Sequence, residues 1–136
     1  MPIVTDASVL LAVAFADEDA ALAAAVLDAI QDQGALVPAQ FWFEVWNVLV
    51  MSERRGRITP LQTHALLAEL SAQPIEVDPV PPDAAVLNLA REHRLTVYDA
   101  AYLELARRQN ATLATLDDAL LASARAIGVP IFEARA

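Results

Sequence analysis

The sequence predicts an α/β fold with a central, mostly parallel sheet and helices on both faces. Short apolar runs, such as Ile3-Val4-Thr5 and Ile75-Glu76-Val77, alternate along the chain with longer amphipathic stretches. Such alternation is typical of parallel strands, because a helix must return the chain between them. The chain has 136 residues, 57% of them hydrophobic, which suits one domain with a substantial core. We therefore predict a single domain over residues 1–136.

Each element has a local signal. In the first half, Gly56 suits the end of a helix, and Thr59-Pro60 suits the start of the next. The predicted elements there are a strand at 3–5, helices at 8–16 and 18–31, a strand at 36–37, the helix containing Glu44, and a helix at 60–71. In the second half they are a strand at 75–77, a helix from Pro81-Pro82 to His93, a brief strand at 95–97, a helix at 99–108, a strand at 113–115, a helix at 117–127, and a strand at 131–132.

Composition excludes several classes of protein. The chain has no cysteine, so disulfides, thiolate catalysis and cysteine zinc sites are impossible. It has no lysine, which argues against Walker-type phosphate loops, Schiff-base enzymes, and the phosphatases and phospho-receivers that use a lysine. A net charge of −9 disfavours broad wrapping of nucleic acid. No apolar run approaches the roughly 18 residues of a membrane span, and a positive leader region is missing. We expect a cytoplasmic protein without membrane contact.

Three aspartates recur in one context. Asp6, Asp99 and Asp117 each follow a predicted strand and precede a predicted helix. An aspartate there is an ordinary helix N-cap. However, the carboxyl ends of parallel strands share one edge of a sheet, where α/β proteins place their sites. Helix capping accounts for any one of these aspartates, but it accounts less well for all three together. We therefore expect their carboxylates to lie close together in the fold.

Glu44 is the only charge in the segment FWFEVWNVLV. We predict that it lies in mid-helix and is partly buried, and an unpaired buried carboxylate is costly or becomes protonated. An arginine could pair with it. Alternatively, Glu44 faces the same acidic pocket, and a divalent cation offsets the repulsion among four carboxylates. Oxygen ligands without His or Cys indicate Mg²⁺, or Mn²⁺ in its place.

Three segments together resemble a known family. The stretches IVTDASVL, FWFEVWNVL and LTVYDAAYLELARRQNATLATLDDAL are similar, in order and spacing, to the motifs of PIN domains. The resemblance covers essentially the whole chain. The size of the chain is similar to that of the VapC-type toxins of toxin–antitoxin pairs. It implies a three-layer α/β/α sandwich with a mostly parallel sheet of about five short strands.

The resemblance also implies a function and a site. The function is a Mg²⁺-dependent endoribonuclease that usually forms homodimers and is neutralised by a small antitoxin covering its site. The implied acidic and metal-binding residues are Asp6, Glu44, Asp99 and Asp117, with Ser8, Asn47 and Thr115 as polar supports. Whether Asp118 also takes part stays open.

Three arginines and two tyrosines are further residues of interest. Arg54, Arg55 and Arg57 could hold an RNA backbone beyond the pocket, or could complement the dipole at a helix end. We place Tyr98 in the core, whereas Tyr102 could lie in the core or elsewhere. The alternative functions are a non-catalytic module on the same fold, an RNA-processing nuclease without a toxin role, and a nuclease that acts on DNA.

Overall fold

A sheet of four parallel strands lies at the centre of the fold. The computed structural model describes residues 1–12, 15, 20–79 and 81–133. Within them, the sheet has the order β3-β2-β1-β4. The strands are β1 (Ile3–Thr5), β2 (Ala35–Pro38), β3 (Ile75–Asp78) and β4 (Thr112–Ala114). Ile3 pairs with Ala35 on one side and Thr112 on the other, so β1 is central, and its three residues are fully buried.

Helices cover this sheet in a three-layer α/β/α arrangement, which confirms the predicted fold class. The helices are α1 (Ala7–Ala12), α2 (Ala20–Gln33), α3 (Phe41–Arg54), α4 (Pro60–Ser71), α5 (Asp83–His93), α6 (Val97–Arg108) and α7 (Asp118–Ala126). Helix α6 contacts β1, β2 and β4, and it packs against α5 and α7. Helix α1 contacts α2 and α3. None of these helices has the length and apolar character needed to cross a membrane.

The connection between α3 and α4 follows its local sequence signals. Gly56 has φ +72° just after α3, a conformation that glycine adopts without strain. Thr59 then caps α4: its hydroxyl accepts from the Gln62 backbone, and the Gln62 side chain accepts from the Thr59 N–H. Pro60 occupies the first turn. The predicted boundaries at 56 and 60–71 are therefore confirmed.

Two predicted strands differ from the structure. Residues 95–97 form no strand, because Arg94 (φ 53°) turns the chain directly from α5 into α6, and the Thr96 hydroxyl caps α6. At the C-terminal edge, only a single bridge joins Ile131 to Leu113, so four strands form where about five were expected. Parts of the predicted helices at 8–16 and 18–31, namely residues 13, 14 and 16–19, lie outside the described residues.

Candidate active site

An acidic cavity of about 350 Å³ opens at the carboxyl edge of the sheet. Four carboxylates from four separate segments of the chain line it, so the sequence-distant acids do meet. The lining residues are Asp6, Ala7, Ser8, Glu44, Asn47, Val48, Asp99, Tyr102 and Asp117. No basic side chain is among them. A slightly larger cavity, of about 400 Å³, lies at the amino ends of β1 to β3, but its only carboxylate is Glu76.

The strand order explains the position of the acidic cavity. The chain moves outward from β1 to β2 to β3, whereas β4 returns on the other side of β1. The crevice between β1 and β4 is therefore the point at which the connections reverse, where open α/β sheets bind ligands. Asp6 follows β1, and Asp117 follows β4 after a short turn. The Asp6 N–H donates to the Ala114 carbonyl (3.2 Å), which holds the two ends together.

Hydrogen bonds to both carboxylate oxygens hold Asp6 in place. Its Oδ1 accepts from the Ser8 hydroxyl (2.7 Å) and the Val9 N–H (3.1 Å), and its Oδ2 accepts from the Thr115 hydroxyl. Thr115 Oγ1 also accepts from the Asp117 N–H (3.1 Å). Thr115 therefore joins the segments after β1 and β4, although it does not line the cavity itself.

Capping and cavity lining are compatible at these positions. Asp117 is the N-cap of α7, with its Oδ1 accepting from the Leu120 N–H (2.8 Å), and it still lines the cavity. Asp118 begins α7, is exposed, and is not among the lining residues. Asp99 lies in the first turn of α6, where its N–H donates to the Thr96 hydroxyl (3.1 Å).

Glu44 lies in the first turn of α3, not in mid-helix as predicted, because the helix begins at Phe41. Its side chain is partly buried, and its Oε2 accepts a hydrogen bond from the Tyr102 hydroxyl. None of the ion pairs in the described part of the chain involves Glu44. Pairing with an arginine is therefore not how this carboxylate is accommodated.

Burial and mutual repulsion raise the pKa values of three of the cavity carboxylates. Desolvation raises the pKa of Asp6, and the negative charge of Asp99 adds to the rise, while hydrogen bonds from Thr115, Ser8 and Val9 oppose it. Desolvation likewise raises the pKa of Glu44, with contributions from Asp6 and Asp99, against the Tyr102 hydrogen bond. The pKa of Asp99 is raised by desolvation and by Asp117. The fold therefore gathers negative charge at some cost.

Tyr102 is the site residue whose place the sequence left open. Its ring is almost fully buried, at 1% exposure, and its hydroxyl reaches the cavity. Desolvation and the hydrogen bond to Glu44 raise its pKa, so the phenol keeps its proton and acts as a donor. A signal did exist, because Tyr102 follows Asp99 by three residues in the predicted helix, and residues so spaced share a helix face.

The remaining predicted residues are divided between the cavity and the outer surface. Ser8 and Asn47 line the cavity. Arg54, Arg55 and Arg57 are exposed near the far end of α3, and Arg54 lies about 15 Å along the helix from Glu44. The Arg57 guanidinium lies over the Phe15 ring, 4.4 Å from its centroid. Tyr98, predicted in the core, is 63% exposed because α6 starts earlier than expected.

The donor set suits a hard divalent cation. All four carboxylates offer oxygen, which Mg²⁺ and Mn²⁺ prefer, and a cation would offset the desolvation and the mutual repulsion that raise the pKa values of Asp6, Glu44 and Asp99. In the described residues, however, no three His, Cys, Asp or Glu side chains form a ready-made ligand group. An ion bound here would take part of its coordination from water, as Mg²⁺ commonly does.

Comparisons with known proteins identify the family and agree with the fold. The PIN domain family matches residues 3–126. Fifteen chains of solved structures match, among them the crystal structure of PAE2754 from Pyrobaculum aerophilum. That match has a TM-score of 0.72 and 27% identity, and it covers 90% of this chain and 84% of the other. No curated protein matches. With the family match extending over nearly the whole described fold, the chain belongs to the PIN-domain family.

Proposed function

We propose that the chain is a Mg²⁺-dependent endoribonuclease that hydrolyses RNA phosphodiester bonds, and that it is the toxin of a VapBC-type toxin–antitoxin pair. PIN domains are typically metal-dependent nucleases. The observation that carries the proposal is the cavity itself: four carboxylates from distant segments line one space without a basic side chain. Asp6, Glu44 and Asp99 are partly buried and take part in no ion pair among the described residues, whereas a fold that only needed stability would pair or expose such charges.

Each acidic residue has a distinct part in the proposed site. Asp6, Asp99 and Asp117 would hold the ion directly or through water, and Glu44 would complete the site or orient the attacking water. Ser8 and Thr115 hold the Asp6 carboxylate in position. A bound Mg²⁺ or Mn²⁺ would supply a water of lowered pKa and would stabilise negative charge on the reacting phosphate.

The absence of lysine and histidine from the cavity lining limits the other ways to bind phosphate. The acidic wall would repel RNA until a cation is present. Arg54, Arg55 and Arg57 would then contact the RNA backbone outside the cavity, since phosphate contacts position a nucleic acid without reading its sequence. A homodimer and a small antitoxin that covers the cavity are parts of the same proposal, taken from the family resemblance.

Two alternatives keep the fold and change the role. An RNA-processing nuclease without a toxin role would use the same cavity and would not arrest growth. A non-catalytic module would retain the fold without needing the acids. The raised pKa values of Asp6, Glu44 and Asp99 reflect a cost that such a module has no reason to keep.

RNA cleavage by matched variants tests the proposal. With Mg²⁺ or Mn²⁺, Asp99→Asn and Asp117→Asn should each lower the rate at least about 100-fold, because even indirect partners of a metal ligand are worth roughly 10- to 100-fold. The matched control is Asp118→Asn, which changes a neighbouring exposed carboxylate outside the cavity and should cleave normally. Equal rates in all four proteins would refute the assignment.

The same proteins expressed in cells separate the toxin role from RNA processing. Wild type and Asp118→Asn should arrest growth, and Asp99→Asn should not. If a short reading frame lies beside this gene, co-expression of its product should restore growth. Cleavage in vitro without growth arrest would support the RNA-processing alternative.

A further inference from the structure

Two hydrogen bonds join the start of α3 to the start of α6. The Gln40 side-chain amide donates to the Tyr98 carbonyl (3.1 Å), and the Tyr102 hydroxyl donates to Glu44 Oε2. Gln40 and Glu44 are four residues apart, as are Tyr98 and Tyr102. Because four residues make about one helical turn, the two bonds lie one turn apart along each helix. The second bond ends on a carboxylate of the acidic cavity.

The two ends of that bond differ in mobility. The Tyr102 ring is buried in the core at 1% exposure, so its hydroxyl has a fixed position at the cavity wall. The Glu44 side chain is only partly buried and has three rotatable bonds. Among the hydrogen bonds of the described residues, Tyr102 is the only partner of the Glu44 carboxylate, and Oε1 accepts none. The phenol therefore determines which oxygen of Glu44 remains available.

We propose that Tyr102 is a positioning residue, which holds Glu44 through Oε2 and leaves Oε1 free to serve a divalent cation. The inference rests on the proposed metal-dependent function. Side chains that bond to a metal ligand orient it and reduce the freedom lost on binding. Asp99, three residues before Tyr102, faces the same cavity, so α6 supplies one carboxylate and orients another.

The substitution Tyr102→Phe separates positioning from packing. It keeps the buried ring and removes only the hydroxyl. Tyr98→Phe is the matched control, because it removes the same group from the same helix at an exposed position whose backbone carbonyl, not its side chain, bonds to Gln40. Mn²⁺ binding to the full chain, measured by calorimetry, should weaken about 10-fold in Tyr102→Phe and stay unchanged in Tyr98→Phe.

Two further readouts distinguish positioning from a general loss of structure. Cleavage by Tyr102→Phe should require more Mn²⁺ but should approach the wild-type rate at saturation, whereas damaged packing would lower the rate at every concentration. In a Glu44→Ala background, Tyr102→Phe should not weaken Mn²⁺ binding further, because its effect passes through Glu44. The inference would be overturned if Tyr102→Phe left the Mn²⁺ affinity unchanged. It would also be overturned if adding Tyr102→Phe to Glu44→Ala weakened Mn²⁺ binding as much as it does in the wild type.

Asp99→Asn in the same titration shows which proposal has failed. If Asp99→Asn abolishes Mn²⁺ binding while Tyr102→Phe binds normally, the function stands and the role of Tyr102 is refuted. If Asp99→Asn binds Mn²⁺ like the wild type, the metal site itself is refuted, and the inference about Tyr102 fails with it.

Discussion

Helix α6 carries carboxylates near both ends, and the two ends differ in how that charge is neutralised. Near its C-terminus, Glu104 is 2% exposed and accepts from Arg108 Nε (2.5 Å). The same Arg108 donates from Nη2 to Asp78 Oδ2 at the end of β3 (2.6 Å). Near its N-terminus, Asp99 faces the other acids of the cavity with no basic side chain in the lining.

The difference is between carboxylates that have a cationic partner within the fold and carboxylates that have none among the described residues. The cluster of Glu104, Arg108 and Asp78 contains its own cation and ties α6 to the sheet. The hydrogen bonds that Arg108 donates to Asp78 and Glu104 raise the pKa of its guanidinium, which stays charged. The cavity has only neutral donors, namely hydroxyls, the Asn47 amide and backbone N–H groups, and the positive ends of helix dipoles to offset its carboxylates. In the proposed function, a cation from solution would complete it.

The largest expected effect is stabilisation of the cavity by metal. An ion that binds only the folded chain stabilises it by about 2.7 kcal/mol at a concentration 100 times its Kd. The unfolding temperature of the wild type should therefore rise with added Mn²⁺, and Asp99→Asn should show little of this rise. Asp118→Asn should keep it. A shift of equal size in all three proteins would mean that the ion binds elsewhere.

A smaller effect is expected from removing the internal cation of the paired cluster. Arg108→Met keeps much of the side-chain length but leaves Glu104 without its charged partner. We expect a loss of about 2 kcal/mol in the free energy of unfolding, because a buried carboxylate then lacks its charge-assisted hydrogen bond. Arg107→Met, at an exposed neighbour with no ion pair among the described residues, is the control. Denaturant unfolding that gives equal stability for both variants would contradict a structural role for the cluster.

The smallest expected effect is a pH trend in the metal-free protein. Because the pKa of Asp99 is raised above its ordinary 3.8, the folded chain holds a proton that the unfolded chain has already released. The stability that protonation of Asp99 contributes is therefore lost as pH rises from 3.8 through the raised pKa. In EDTA, the free energy of unfolding of Asp99→Asn should increase relative to that of the wild type as pH rises from about 4 to 7. The increase should be less than about 1 kcal/mol, because Asp99 is partly solvated. A difference that stays constant with pH would exclude a raised pKa at Asp99.

Much of the fold was predictable because its signals are local. The capping pair Thr59 and Gln62, together with Gly56 in its left-handed conformation, fixed the ends of α3 and α4 through bonds between near neighbours. The strand predicted at 95–97 was wrong for the opposite reason. Leu95 and Val97 favour a strand by residue type, but the Thr96 cap and the turn at Arg94 leave no length for one.

The site was predictable to a different degree for each member. Asp6 and Asp117 have a visible signal, since each follows a strand, and parallel strands bring such ends to one edge. Asp99 was predicted for the same reason, yet it follows a helix cap instead of a strand. The neighbours of Glu44 were not predictable, because its hydrogen-bond partner lies 58 residues away along the chain.

The sequence by itself determined the parallel α/β class, most helix and strand positions, and the set of acids, because periodicity, capping and strand-to-helix order depend on residues close along the chain. Only the tertiary structure decided that Tyr102 meets Glu44, that Tyr98 faces solvent, and that Arg108 pairs with acids on two elements. These outcomes depend on how α3, α6 and the sheet pack against one another. Short-range patterns do not encode the distances between such segments.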